Sequence, residues 1–342
     1  MLDALDALIQ KNKPFVAFKL PNAEEVQVYY QQDDQLHLTS DFSEAGFLMA
    51  PFHETGFYSY IPNTHTYRVP IPTEASIIGS NISVVDQNKK PFVGLVQKAI
   101  NEFQNTALEK VVVSRVLSIG SESKNPAQTF QNLVQLYPAA FVYYWHHPST
   151  GSWMGATPER FAHLNENKLH TIALAGTSPA IKDQSPDWSS KEIQEQQIVT
   201  DSIASSLKSM FPLVELDISA VASVQAGALW HLKTDIQATN TTITLPQVIK
   251  ALHPTPAVGG VPKAQSVDFI IKNEGYDRKF YTGFLGPFDS ESSANLFVNL
   301  RCAELTDLGY EVFVGAGIIS GSDPEREWEE TQRKAKTFCK AL

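Results

Sequence analysis

Apolar residues recur along this chain with two periods, one suited to helices and one to strands. A short amphipathic helix at MLDALDALIQKNKPF is followed by the strand-like runs FVAFKLP, VQVYYQQ, LHLTS and GFLMAPF. Spacings of three and four return in PFVGLVQKAINEFQNTALE, near Ala127–Leu136, and across Ser189–Phe211, where Ile198, Ile203, Leu207 and Met210 are apolar. These predict helices. Valine-rich KVVVSRVLSI and then AAFVYYW, RFAHLNE and KLHTIALA read as strands, with GALWHLKTDIQA further on. Helices are expected at Leu245–Leu252 and Ala264–Asn273. The strands FYTGFLGPF, ANLFVNLRCAEL and YEVFVGAGII come next, and a last helix closes the chain.

Several of these strands are separated only by turns. That favours antiparallel pairing and an α+β class over a doubly wound parallel sheet. No repeat or low-complexity linker divides the chain. The expectation is one large structural domain: a main unit over residues 91–342, with an irregular N-terminal part (1–90) packed onto it.

The last segment, GAGIISGSDPEREWEETQRKAKTFCKAL, is the richest in chemistry. Ser322 or Asp323 can cap its helix, and Pro324 suits the first turn. Glu327, Glu330 and Lys334 then share one helix face, while Trp328, Ala335, Phe338 and Leu342 occupy the other. A second acidic pair, Glu192 and Glu195 in KEIQEQQIV, has the same spacing. Two such pairs brought together would repel unless a cation bridged them, and oxygen-only ligands suit Mg²⁺. Neither a calcium-loop pattern nor zinc-type His/Cys spacing is present.

Lys110 opens a strand, where a solvated lysine is ordinary, but a lysine buried in a site can act as a general base. Glu159, in GATPERF, can protonate a leaving oxygen if it is buried. Arg301, read within the strand NLRCAEL, needs a carboxylate partner from the protein or from a ligand. The Gly315-Ala316-Gly317 turn could bring backbone N–H groups to an anion, and HPTPAVGG could line a pocket. His146 and His147 are neighbours, face opposite sides of a strand and read as structural.

Composition narrows the partners. The 342 residues are 43% hydrophobic and carry a formal charge of −10 without a basic cluster, which argues against nucleic acid. No apolar run reaches the ~18 residues of a membrane span, and no signal pattern opens the chain. Cys302 and Cys339 read as buried free thiols, so a cytoplasmic protein is expected. An anionic substrate would need local cations or a metal to overcome the overall field.

On these residues the chain resembles the chorismate-utilising enzymes, and within them the isochorismate synthases. KVVVSR, GATPERF, ALAGTSP, KEIQEQQIV, LWHLKTDI, LHPTPAVGG, EGYDRKFYTGFLG, NLRCAEL and GAGIISGSDPEREWEE run in family order from Lys110 to the C-terminus. The resemblance implies a two-sheet antiparallel core surrounded by helices, one active site, Mg²⁺ dependence and chorismate as small-molecule substrate. By position, Lys110 takes the place of the lysine that activates water for attack at C2. Glu159 takes that of the acid that protonates the departing C4 hydroxyl. Glu195 and Glu330 match the principal metal ligands, with Glu192 and Glu327 as supporting acids. Arg301, Lys334 and Gly315, Ala316 and Gly317 would hold the enolpyruvyl carboxylate. His231, Thr255, Ala257, Gly176 and Thr177 would line the pocket.

Within this family, lysine at the position of Lys110 goes with water as the nucleophile rather than ammonia. It does not separate isochorismate synthase from salicylate synthase, which goes on to eliminate pyruvate. Ala257 resembles the small residue of plain isochorismate synthases. Gln196 departs from the histidine that usually follows the second glutamate, which leaves room for a non-catalytic chorismate-binding protein. Isochorismate feeds menaquinone and catechol siderophores; menaquinone is preferred because no carrier-protein module is fused to the chain. The resemblance further implies a monomer or weak dimer.

Overall fold

The computed structural model describes residues 2–342 except 54, 73–87, 121–124, 181–185, 227–228 and 241. The first elements are α1 (Leu2–Gln10), β1 (Phe15–Lys19), β2 (Glu25–Tyr30), β3 (His37–Thr39), β4 (Gly46–Ala50), β5 (Tyr58–Pro62) and β6 (Thr66–Pro70). They are followed by α2 (Lys89–Asn105), β7 (Lys110–Gly120), α3 (Pro126–Leu136), β8 (Phe141–His147), β9 (Gly151–Thr157), β10 (Arg160–Asn165) and β11 (Lys168–Pro179). Next come α4 (Ser190–Met210), β12 (Glu215–Ile218), β13 (Ala222–Ala226), β14 (Leu229–Thr239), α5 (Leu245–Leu252), β15 (Gly260–Val261) and α6 (Lys263–Asn273). The chain ends with β16 (Phe284–Ser290), β17 (Ser293–Val298), β18 (Cys302–Thr306), β19 (Gly309–Ile318) and α7 (Pro324–Cys339).

The strands form two sheets, and the pairings are antiparallel throughout the described residues. One runs β15-β7-β19-β18-β9-β8-β1-β2-β6; the other runs β12-β14-β11-β10-β17-β16-β4-β5-β3, with β13 also on β14. This is the α+β, two-sheet architecture that the sequence predicts. The N-terminal part is not irregular, however. Its strands are built into both sheets, β1, β2 and β6 into the first and β3, β4 and β5 into the second.

Strand β8 shows how the layers arise. Alternate residues point to opposite faces of a strand. Phe141, Tyr143 and Trp145 enter the core between the sheets, whereas Val142 and Tyr144 pack under α1, α3 and α7. Both faces are buried, so the run is apolar throughout rather than alternating. Phe141 stacks on Phe297 of the opposite sheet with ring centroids 4.2 Å apart, a pair that adds about 0.5–1.5 kcal/mol beyond its buried area. On the outer face of the second sheet, Val199, Ile203 and Leu207 of α4 pack with Val248, Ile249 and Leu252 of α5. The order is therefore helix, sheet, sheet, helix.

Two crossings between the sheets position the site. The chain leaves β9 in the first sheet and enters β10 in the second through Pro158 and Glu159. It returns from β17 to β18 through Asn299–Arg301. NLRCAEL is thus not one continuous strand. Arg301 has φ +50, a left-handed turn that breaks the run and carries the chain across.

Candidate active site

Lys110 begins β7, whose partner β15 meets it at Val261. Beneath β7, Arg278 donates to the carbonyl of Val112 at 2.7 Å, and Glu274 accepts from the N–H of Ser114 at 2.7 Å. Arg278 and Glu274 are themselves paired at 2.5 Å with both side chains buried, so the EGYDR segment pins the strand that carries Lys110. The Lys110 side chain is fully buried and its Nζ lies 2.9 Å from Glu195 Oε1. That contact is too poorly aligned for a hydrogen bond, and among the described residues Nζ has no hydrogen-bond partner.

Glu159, 3% exposed, sits at the first crossing. Burial pushes its carboxyl up to about 8, against the opposing pull of Lys110, Lys334 and Arg301. It therefore carries a proton at neutral pH. Lys110 and Glu159, which the sequence reading expects as base and acid, are both buried, one at the start of β7 and the other at the crossing between the sheets. Glu159 lines one pocket with Gly176, Thr177, Glu195, His231, Ala257, Arg301, Gly315, Gly317, Glu330 and Lys334 among others, and Lys110 lies behind that lining, against Glu195 and Gly317.

The acidic helices converge there. Glu195 comes from the buried face of α4 and Glu330 from α7, whose start is capped by Asp323 accepting from Arg326 N–H at 2.9 Å. Lys334 pairs with Glu330 at 2.6 Å and donates to the Gly315 carbonyl at 2.9 Å. Lys191, which the sequence reading passed over, pairs with Glu327 at 2.6 Å. Glu192 is placed differently from expectation: its carboxylate accepts from the Ser189 N–H and hydroxyl in a capping box, so it closes the start of α4. Among the described residues no three acidic, histidine or cysteine side chains converge as a formed metal site.

Charge nevertheless marks this spot as suited to a cation. Burial and then the repulsion of Glu330 push Glu327 up to about 7, even with Lys191 beside it. Burial also raises Glu330, but Lys334 and Lys191 outweigh it and hold the carboxyl below its usual range. Lys191 in turn is held charged by Glu327, Glu195 and Glu330, which outweigh its burial. Carboxylates from α4 and α7 thus share one cationic position. Gly317 makes room for them, since a Cβ there would collide with Glu195 Oε1 and crowd Lys110 Cε at 3.3 Å. The donor set, oxygen only, fits Mg²⁺.

Residues expected to hold an anion or line the pocket also come together. Arg301 Nη1 donates to Thr337 Oγ1 at 3.1 Å, and Nη2 lies 3.3 Å from His231 Nε2. Burial, then Arg301, push His231 down to about 3, so the ring is neutral. Its Nδ1–H then donates to the Gly176 carbonyl at 2.9 Å and Nε2 accepts from Arg301. Gly176 has φ +70, where a side chain is strained, and a Cβ there would crowd the Glu192 side chain at 3.2 Å.

Two readings change, those of the Gly315–Gly317 turn and of Thr255. Gly315, Ala316 and Gly317 are not a turn but part of β19, paired with Ser114, Val113 and Val112. Thr255 is buried but outside the pocket lining, unlike Ala257. Gln196 faces the sheet, its Nε2 donating at 3.1 Å to the Ala173 carbonyl and at 3.1 Å to Thr234 Oγ1. The sequence reading also missed Tyr281, which lines the pocket, because an aromatic in a motif reads as core. His146 and His147 bond to Ser152 and to the Gln35 carbonyl, among structural contacts.

With the geometry in view, comparison identifies the class. The chorismate binding enzyme family matches residues 64–342. The chain belongs to that family. Isochorismate synthase DhbC of Bacillus subtilis (strain 168) is 28% identical over 266 residues, covering 72% of this chain and 66% of that protein. Putative isochorismate synthase MenF of Mycobacterium tuberculosis (strain H37Rv) is 33% identical over 257 residues, covering 69% and 68%. The chain thus spans about two thirds of the length of these curated relatives. The crystal structure of a putative 2,3-dihydroxybenzoate-specific isochorismate synthase, DhbC from Bacillus anthracis, superposes with a TM-score of 0.81 at 22% identity. That match covers 98% of this chain and 99% of the other, and it establishes the fold.

Proposed function

We propose that this protein is an isochorismate synthase, an isomerase that converts chorismate to isochorismate. The observation that carries the reading is a buried lysine and a buried, protonated glutamate brought to one pocket, Glu159 in its lining and Lys110 behind Glu195. The names of the relatives above agree with it. Water adds at C2 of the ring as it gives a proton to Lys110, which acts here as the free amine and becomes the ammonium. The two ring double bonds shift, and the electron pair departs with the C4 oxygen, which takes a proton from Glu159 and leaves as water. One water enters and one leaves, so substrate and product are isomers. Hydroxide is a poor leaving group, and general acid and base groups each contribute ~10²–10⁴-fold.

Arg301 and Lys334 suit the enolpyruvyl carboxylate, and His231, neutral and fixed by Gly176, holds Arg301 in place. Glu195 and Glu330, with Glu327, are the residues that would hold Mg²⁺. The ion would supply charge stabilisation for the ring carboxylate. Ala257, which lines the pocket, favours isochorismate as the final product over salicylate. A cytoplasmic enzyme of menaquinone or siderophore biosynthesis is the setting we favour, and no helix among the described residues is long and apolar enough to cross a membrane.

The test is incubation with chorismate and Mg²⁺, with and without EDTA, followed by chromatography. Isochorismate free of pyruvate, lost with EDTA, is expected. Salicylate with pyruvate would move the protein to the neighbouring activity, and binding without conversion would make it a chorismate-binding protein.

A further inference from the structure

The largest cavity among those described is not the catalytic pocket. It encloses about 610 Å³ and meets that pocket at Pro158, Leu174 and Arg301, which line both. Its size falls in the ~300–1,000 Å³ range of small-molecule sites. The lining is mixed: Leu174, Phe297 and Ala140 give an apolar floor, while Arg160, Lys233 and Arg301 supply positive charge.

Arg160 follows the acid Glu159 in the chain, so the same crossing between sheets that aims Glu159 at the pocket aims Arg160 at the cavity. Its Nη1 is 3.1 Å from His170 Nδ1, and its guanidinium lies over the Phe297 ring at 5.8 Å. Its Nε is buried without a hydrogen-bond partner. Lys233 pairs with Asp235 at 2.9 Å, and the same carboxylate takes His170 Nε2 at 2.8 Å. Among the described residues no acidic one is in the cavity's lining, Asp235 lying beside it, so Arg160, Lys233 and Arg301 make it a positive patch on a protein of formal charge −10. A low-dielectric concavity of one sign concentrates ligands of the other and raises association rates 10–10³-fold.

We propose that this cavity is an outer vestibule that captures the dianionic substrate beside the catalytic pocket, with Arg160 and Lys233 as its carboxylate-attracting groups. The proposal rests on the reading of chorismate as substrate. Arg301, shared by both spaces, is the point at which a carboxylate passes from one to the other.

The experiment compares wild type with the R160Q/K233Q double variant and the charge-retaining R160K/K233R double variant. K233Q alone, at a half-exposed site, guards against misfolding of the double variant. kcat and KM are measured at low ionic strength and at ~0.3 M salt, where exposed charges are screened within about 6 Å. The association rate of chorismate without Mg²⁺ is followed by stopped-flow fluorescence. At low salt, R160Q/K233Q should lose about 5–10-fold in kcat/KM and in association rate, with kcat spared. K233Q should lose a smaller part, R160K/K233R should stay near wild type, and the gaps should narrow as salt is added. Equal association rates in wild type and R160Q/K233Q, or a loss of equal size at both salt concentrations, would overturn the vestibule. A wild type that binds chorismate with this salt dependence but does not convert it would overturn the enzymatic reading while leaving the vestibule supported.

Discussion

The catalytic pocket and the cavity beside it use charge in opposite ways. The pocket is narrow, about 70 Å³, and the groups at it are paired: Glu330 with Lys334, and Glu195 with Lys110 behind it. The cavity is about 610 Å³, and its lining holds Arg160, Lys233 and Arg301 but, among the described residues, no acidic one. Balanced buried charge orients groups and sets protonation, whereas unbalanced charge around an open space acts at a distance. Substitutions in the pocket should therefore change turnover, and those in the cavity should change capture.

The largest effects are expected at Lys110 and Glu159. Lys110→Ala and Glu159→Gln should each lower kcat by about 10³-fold or more while chorismate binding persists, as measured by steady-state kinetics and calorimetric titration. Near-normal kcat in either variant would erase the distinction between pocket and cavity for that residue. Next comes Glu330→Gln, for which the Mg²⁺ concentration giving half-maximal activity should rise at least ~10-fold. An unchanged metal titration would remove Glu330 from the proposed ligand set.

A smaller effect follows from the proton on Glu159. Its carboxyl titrates near 8 when folded and near the usual 4.5 when unfolded, so the folded state holds the proton more tightly. The stability from this group is fully present below the unfolded value and is lost as pH rises towards 8. Wild type should lose stability relative to Glu159→Gln by about 1 kcal/mol per pH unit between pH 5 and 8, then run parallel to it. Urea melts over that range would show it, and parallel curves throughout would mean that Glu159 is ionised at neutral pH. The smallest effect on activity is expected for Gln196→Ala. It should cost about 1–3 kcal/mol of stability through its lost buried hydrogen bonds and leave the Mg²⁺ requirement unchanged.

The sequence was most legible where both faces of an element are buried. Runs such as AAFVYYW and KVVVSRVLSI have one reading because their β-branched and aromatic residues suit only a strand between two apolar layers. β5 and β6 were missed: YSYIP is short and TYRVP alternates at a sheet edge, exposing every second residue. Glycines misled in GAG, where small residues clear space for Glu195 and Tyr281 instead of turning the chain. Arg301 looked like a strand residue because local composition does not mark where a strand switches sheets.

For the site, spacing placed Glu327, Glu330 and Lys334 on one helix face, and α7 does bury Glu327 opposite Lys191. It could not show that Glu192 caps its own helix or that Lys191 shares the carboxylates. A lysine–glutamate pair at adjacent positions is commonplace, and only the meeting of α4 with α7 gives it a purpose. The vestibule was invisible for the same reason. Arg160, His170 and Lys233 lie on three strands, and no local pattern brings them together.

The most direct measurement is conversion of chorismate in ¹⁸O-labelled water, with the product analysed by mass spectrometry. If Lys110 delivers solvent water to C2 while Glu159 expels the C4 hydroxyl, isochorismate formed in a single passage carries one ¹⁸O on its new hydroxyl. Unlabelled isochorismate would mean that the hydroxyl moves within the substrate, and would contradict the division of labour between this lysine and this glutamate.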